Sequence, residues 1–190
     1  MSLLRSTGAA LAAVIVGCAG NTDGATDGRT GAASGAASTP PASPATWTVT
    51  ETGWGPVRAG MSVADARAAL GGELPEPANR ECDHVRPRGA PSGVLLMVVG
   101  GQLARMEVSD TAVATAAGAR VGHTEEQIKA LYPGRVQTRP HKYVDGHYLV
   151  VRRGAGADSV YRLVFETDGH RVTRFRGGRF PEVEWIEGCS

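Results

Sequence analysis

The sequence predicts an α+β fold: two tandem helix-plus-antiparallel-meander repeats forming one domain. Three observations lead there. Residues 58–72 return with matching residues at 120–134. Each copy is followed by strand-length apolar runs broken at turn residues. A leader and a polar linker account for the residues ahead of Trp47, which leaves 47–190 for one domain with a genuine core.

The leader comes first. Met1-Ser2-Leu3-Leu4-Arg5 carries one positive charge, and a small, apolar run follows from Gly8 to Val16, ahead of Gly17 and Cys18. One charge, a short apolar core and a small residue before the cut make a secretory signal peptide over residues 1–17. The run is too short for a permanent membrane span, which needs ~20 apolar residues. Ile15-Val16-Gly17-Cys18 resembles the bacterial lipobox. The resemblance implies that Cys18 becomes a diacylated N-terminus, and acyl chains at about 0.8 kcal/mol per buried methylene hold a protein firmly at a membrane. The alternative is an ordinary secreted protein with a cysteine there by chance. Ala19, not aspartate, follows Cys18, which favours the outer membrane if the source is diderm.

Residues 18–46 then form a lipidated cysteine and a disordered linker. From Ala19 to Thr46 the chain is Gly, Ala, Ser, Thr, Pro and Asn with three charges, and it has no aromatic residue and no Leu, Ile, Val or Met. Such a stretch buries too little apolar surface to offset its ordering entropy. Flexible-chain scaling gives it a reach on the order of 30 Å.

The whole chain has 20 basic and 19 acidic residues, and one of the basic ones is Arg5 in the leader. The balance that remains argues against nucleic acid and against general binding to anionic surfaces. Arg171, Arg174, Arg176 and Arg179 lie close together and read as a solvated strand face. Beyond Cys18 the cysteines are Cys82 and Cys189. An oxidising envelope favours pairing them, and two cysteines allow one intramolecular pairing. Chain-entropy models put so long a loop near 4–5 kcal/mol before strain.

In the repeat, Arg58, Gly60, Ala68 and Gly72 meet Arg120, Gly122, Ala130 and Gly134 without a gap. Ser62 and Thr124 are helix caps, with Asp65 and Gln127 at the third helical position, the capping-box arrangement. Val63, Ala66 and Leu70 share one helix face, as do Ile128, Leu131 and Tyr132. Gly71-Gly72 and Pro133-Gly134 stop the helices. Hairpins follow: 93–99 and 102–108 around Gly100-Gly101, 139–144 and 147–153 around Asp145-Gly146, and 160–166 and 170–176 around Thr167-Asp168-Gly169. The repeats therefore run over about 55–108 and 117–178. The tail after Pro181 alternates acidic and apolar residues and reads as an edge strand tied down by Cys189. Trp47, Trp54 and Trp185 are expected to seal the core where the first and last segments meet; an exposed tryptophan anchor at a partner interface is the alternative.

The Gly-Met-Ser-x-x-x-Ala core at Gly60 to Ala66 resembles the turn and helix start of small outer-membrane lipoproteins of the SmpA/OmlA (BamE) type. Two such units in tandem resemble the β-lactamase-inhibitory-protein fold. The resemblance implies architecture and a leaning towards protein recognition; it carries over no binding residue.

No GxSxG elbow, HExxH helix or phosphate-binding P-loop is present, so no catalytic residue, metal ligand or cofactor is assigned. The most suggestive cluster is His141 to Tyr148, in which His141, Asp145 and His147 have the composition for acid–base chemistry or metal binding. Its aromatics suit a contact surface better. The expectation is a non-enzymatic cell-envelope lipoprotein, membrane-anchored through Cys18, that binds an envelope protein partner. Recognition would use an exposed sheet face with His141, Tyr143, His147, Tyr148, Arg174, Arg176 and Arg179. Two alternatives remain open: a periplasmic small-ligand or glycan binder using the same residues, and a hydrolase built on His141, Asp145 and His147.

Overall fold

The computed structural model describes residues 43–154, 156 and 160–190. The expected leader, the expected lipidation site at Cys18 and nearly all of the expected linker lie outside the described residues. The elements follow in the order β1 (Gly53–Trp54), β2 (Val57–Arg58), α1 (Val63–Ala69), β3 (Cys82–Val85), β4 (Val94–Val99), β5 (Gln102–Val108), α2 (Glu125–Leu131), β6 (Val136–Pro140), β7 (His147–Arg152), β8 (Tyr161–Thr167) and β9 (Val172–Arg179). β1 and β2 form a ribbon; the other seven strands form one antiparallel sheet in the order β3-β4-β5-β9-β8-β7-β6.

The expected α+β fold of two helix-plus-meander repeats is overturned. Among the described residues the protein is mostly β, and the two α-helices have seven residues each. They stay short because glycines end them: Gly71, Gly72 and Gly134 all take positive φ just past the helix ends. The strands do not separate into two units either. β9 pairs with both β8 and β5, so a single sheet runs through the whole domain. The halves are also unequal, with three sheet strands from the first and four from the second. β3 had no expected counterpart; its short Cys-Asp-His-Val run offers little alternation to read.

Local chemistry at the helix starts holds. Thr124 and Gln127 close a full capping box, with Gln127 N–H on Thr124 Oγ1 at 3.2 Å and Thr124 N–H on Gln127 Oε1 at 2.8 Å. In α1 the shorter Asp65 instead accepts from Ser62 Oγ at 2.7 Å, while Asp65 N–H donates to that same hydroxyl oxygen. Gly60 and Gly122 adopt φ of 95° and 91°, a region that L side chains resist. Each turn then docks on a strand. Gly60 N–H donates to Leu103 O at 2.7 Å and Leu103 N–H to Met61 O at 2.8 Å; Gly122 N–H donates to Val172 O at 2.8 Å and Val172 N–H to His123 O at 2.9 Å.

The main core fills the space between one sheet face and the helices, the β1–β2 ribbon and the segments around Val49 and Val113. Val63, Ala66 and Ile128 point into it, with Leu70 at its margin, but Leu131 is exposed. Tyr132 takes the buried place, its hydroxyl on Thr115 Oγ1 at 2.7 Å and its ring 5.8 Å from Phe165. Trp54 is fully buried and meets Trp47 edge-on at 4.8 Å. Trp185 does not join them; it is exposed near the C-terminus. Gly177 of β9 lies where the chain at Val49 and Thr50 crosses the sheet, and a Cβ there would collide with the Thr50 carbonyl oxygen.

Gly177→Ala is expected to lower the unfolding free energy by about 1–3 kcal/mol through that overpacking, and Thr124→Ala by about 1 kcal/mol through loss of the cap. Urea denaturation midpoints check both; an unchanged midpoint for Gly177→Ala would show that the Thr50 segment does not cross there.

Candidate functional site

The opposite face of the sheet carries charge, and strand register places it. Alternation along each strand sends every second residue to this face. The pairings put His84, Met97, Arg105, Gly178 and Arg162 in one row across β3, β4, β5, β9 and β8. The next row runs Leu95, Glu107, Arg176, Val164, Val150, and the next Arg174, Glu166, Tyr148, Arg139. Tyr148, Val150 and Val164 make a small apolar island among these charges.

The C-terminal segment, residues 180–190, lies over this face as a strap. Val183 is fully buried against the island. Arg105 Nη1 donates to the carbonyls of Glu182 and Trp185, both at 2.6 Å, and Arg176 Nε donates to Val183 O at 2.6 Å. The Cys82–Cys189 disulfide joins the strap to edge strand β3, with Cα atoms 5.4 Å apart. The expected pairing is therefore present, but the expected edge strand after Pro181 is not. Residues 182–184 form a 3-10 turn and the rest runs without strand pairing, because the strap crosses the sheet's face and its carbonyls are taken by arginines.

Carboxylates complete the network. Glu166, buried, accepts from Arg174 Nε at 2.6 Å and from Arg176. Glu107 accepts from Arg105 Nε at 2.8 Å and lies 3.0 Å from His84 Nε2. Glu184 on the strap binds Arg162 and, at 2.9 Å, Arg139. Burial alone would raise the Glu107 carboxyl, but Arg105 and then His84 outweigh it and hold it below its ordinary value. Burial likewise opposes Glu184, and its hydrogen bonds from Arg162 and Arg139 hold it low. Burial pushes the Arg105 guanidinium down, against the pull of Glu107.

The residues singled out in the sequence scatter over this architecture. His141 stacks on Tyr148 with ring centroids 4.4 Å apart and its Nε2 lies 3.8 Å from Glu166. His147 turns away to α2, where Nδ1 lies 2.7 Å from Glu125 Oε1; Thr167 Oγ1 donates to the same oxygen at 2.6 Å. The carboxylate beside His141 is Glu166 and the one beside His147 is Glu125, so His141, Asp145 and His147 are not assembled as one site. Nor does Asp145-Gly146 make a two-residue hairpin turn. β6 ends at Pro140, which lacks an N–H for further pairing, and 141–146 form a loop. That loop packs on the 167–169 turn, where a Cβ on Gly146 would collide with Thr167 O. Arg176 is 3% exposed, so the reading of a solvated arginine face fails there; Arg174 keeps an open side chain and Arg179 binds Glu182 at 2.9 Å. Among the described residues no group of three His, Cys, Asp or Glu side chains is arranged to hold a metal ion.

Tyr143 is 59% exposed on the 141–146 loop, and its hydroxyl bonds Glu187 of the strap. Lys142 Nζ reaches Glu187 at 2.8 Å. Loop and strap thus meet beside an open hollow of about 490 Å³ edged by Lys142, Trp185, Ile186, Glu187 and the disulfide. Trp185 is 38% exposed there. Sequence reasoning missed Arg105, Glu107, Arg139, Arg162, Glu166, Glu184 and Glu187. The available signal was charge at every second position of an apolar strand, as in Arg105 and Glu107.

No family model and no curated protein matches the chain. Among solved structures it is similar to the uncharacterised protein YfeY from Escherichia coli, at 12% identity over 70% of this chain and 99% of that one, with a TM-score of 0.43. It is also similar to an extracellular protein containing an SCP domain from Bacillus anthracis str. Ames, at 11% identity and a TM-score of 0.39. That match covers 64% of this chain and 44% of the other. Neither likeness is close enough to carry a function across.

The carboxylates fix a pH dependence. Unfolded, Glu107 and Glu184 titrate near 4.5; folded, both titrate lower. Each therefore contributes stability above that value and loses it as pH falls through the folded value. The urea midpoint is expected to drop below about pH 4.5, and Glu184→Gln to flatten part of that drop. Acid limbs that run parallel in the two proteins would remove Glu184 from the account.

Proposed function

We propose that this chain is a non-enzymatic cell-envelope lipoprotein, anchored through Cys18, whose domain recognises another envelope protein. The lipobox-like Ile15-Val16-Gly17-Cys18, the polar linker and the folded domain behind them support the anchoring half. Ala19 after the cysteine favours the periplasmic face of the outer membrane in a diderm source. A domain on such a tether reaches a neighbour in the same membrane and stays clear of lipid headgroups.

One observation carries the recognition half: Tyr143 and Trp185 stand exposed on two segments that meet at Glu187, beside the open hollow. Aromatic side chains with a polar handle, next to a concavity and rimmed by charge, are the composition of protein-interface hot spots. Both segments are held from below, the strap by arginines and the disulfide, the loop by the His141–Tyr148 stack. A partner would therefore meet a surface already ordered, with little side-chain entropy left to lose. The earlier expectation of an open sheet face narrows accordingly, since Tyr148 and Arg176 lie beneath the strap.

Capture from native envelope with the lipidated protein, a Cys18→Ala form and a Tyr143→Ala/Trp185→Ala form, read by mass spectrometry, tests the reading. One protein enriched near stoichiometry is expected, reduced without Cys18 and lost in the double variant. Equal capture by the double variant would refute this surface, and no enriched protein in any form would refute recognition.

A further inference from the structure

Under the strap lies a second, more enclosed hollow of about 310 Å³. Its floor is the apolar island of Tyr148, Val150 and Val164, and its rim is Arg139, Lys142 and Arg176 with one carboxylate, Glu184. We infer that this hollow is a binding site for a small aryl or alkyl monocarboxylate, with the apolar body on Tyr148, Val150 and Val164 and the carboxylate against Arg139 and Arg176.

Charge balance selects an anion. Glu184 serves Arg139 and Arg162, Glu166 serves Arg174 and Arg176, and Glu187 serves Lys142. Three cations, Arg139, Lys142 and Arg176, line the half-closed space itself with the one carboxylate of Glu184. In such a space an excess of positive charge is screened less than on open surface, so it attracts an anion more strongly. The planar fork of Arg139 matches carboxylate geometry, and Arg176, whose Nε and Nη1 are held by Val183 O and Glu166, adds its charge beside it. One arm of Arg139 is free to exchange at little loss, because its Nη2 donates to the neutral amide oxygen of Gln137 at 2.9 Å. The floor selects the rest of the ligand, since an aromatic ring and two valines offer no hydrogen bond to a second polar group beyond the Tyr148 hydroxyl.

There is also a way in. Ile186 closes the hollow from the strap side and is itself exposed. Among the described residues, Ile186 to Gly188 make no backbone hydrogen bond to the sheet; the strap's carbonyl anchors stop at Trp185. Ile186 can therefore shift without breaking main-chain pairing. The hollow is at the small end of ligand sites, which suits a short acid and excludes a polymer.

The test uses the full chain carrying Cys18→Ala, so that no lipid or detergent competes, with 3-phenylpropionate and octanoate as probes. Calorimetry and thermal shift should show saturable binding of an acid, with 3-phenylpropanamide and 3-phenylpropylamine at least tenfold weaker. Arg139→Gln is expected to weaken the acid at least tenfold while the amide is unchanged. Ile186→Trp, a change at an exposed position, is expected to fill the hollow and abolish binding. No saturable binding of either acid, an amide that binds as well as the acid, or full binding by Ile186→Trp would each overturn the assignment. The assay contains no partner protein, so its outcome is independent of the recognition surface at Tyr143 and Trp185.

Discussion

A guanidinium can leave water only where its N–H donors find acceptors, and Arg105 shows how this fold meets that demand. Its Nε and Nη2 lie on Glu107, and its Nη1 is shared between the main-chain oxygens of Glu182 and Trp185. Arg176 does the same with Glu166 and Val183 O. Removing either partner from such a pair leaves a buried charge uncompensated, which is far more damaging than the net worth of the pair. The position of the strap is therefore dictated by two side chains of the sheet, and the disulfide at Cys189 fastens what the arginines have already aligned.

The sheet is closed by two different kinds of force. On one face, aliphatic and aromatic residues from both helices and the N-terminal segments are removed from water, which requires bulk and little direction. On the other, directional charge-assisted hydrogen bonds hold a strap with one apolar peg, Val183. Directional contacts leave gaps where apolar packing would not, and the hollows lie along the strap. The same arrangement brings the 141–146 loop to the strap at Glu187, so the exposed aromatics owe their position to a network beneath them.

Much of the local structure was legible. The caps at Ser62 and Thr124, the glycine turns ahead of them, the Gly100-Gly101 hairpin and the β8–β9 turn are encoded in short windows, where one or two residues decide the conformation, and the Cys82–Cys189 pair was legible because two cysteines beyond Cys18 leave one intramolecular pairing. The sheet was not legible, because the pairing of β5 with β9 joins residues some seventy positions apart and leaves no mark on either strand. The candidate site failed for a related reason. Arg176 and Glu166 look like surface residues until the strap covers them, and Asp145-Gly146 looks like a tight turn until the neighbouring 167–169 turn occupies its space. His141 and His147 are near in sequence, yet their glutamate partners belong to different elements, so proximity along the chain suggested a cluster that tertiary structure divides.

The central place of β9 has a consequence for how the protein is made. β5 is complete well before β9, and one of its edges has no neighbour until some seventy further residues have emerged, because its partner β9 follows every other strand of the sheet among the described residues. During that interval the edge of a strand rich in Leu, Met and Val is open to any other extended chain. Non-local pairings of this kind form slowly. A second molecule's β9 can fill the same slot with the same register, so assembly is a race between a molecule's own last strand and that of its neighbour, decided by concentration and by the time between the two strands.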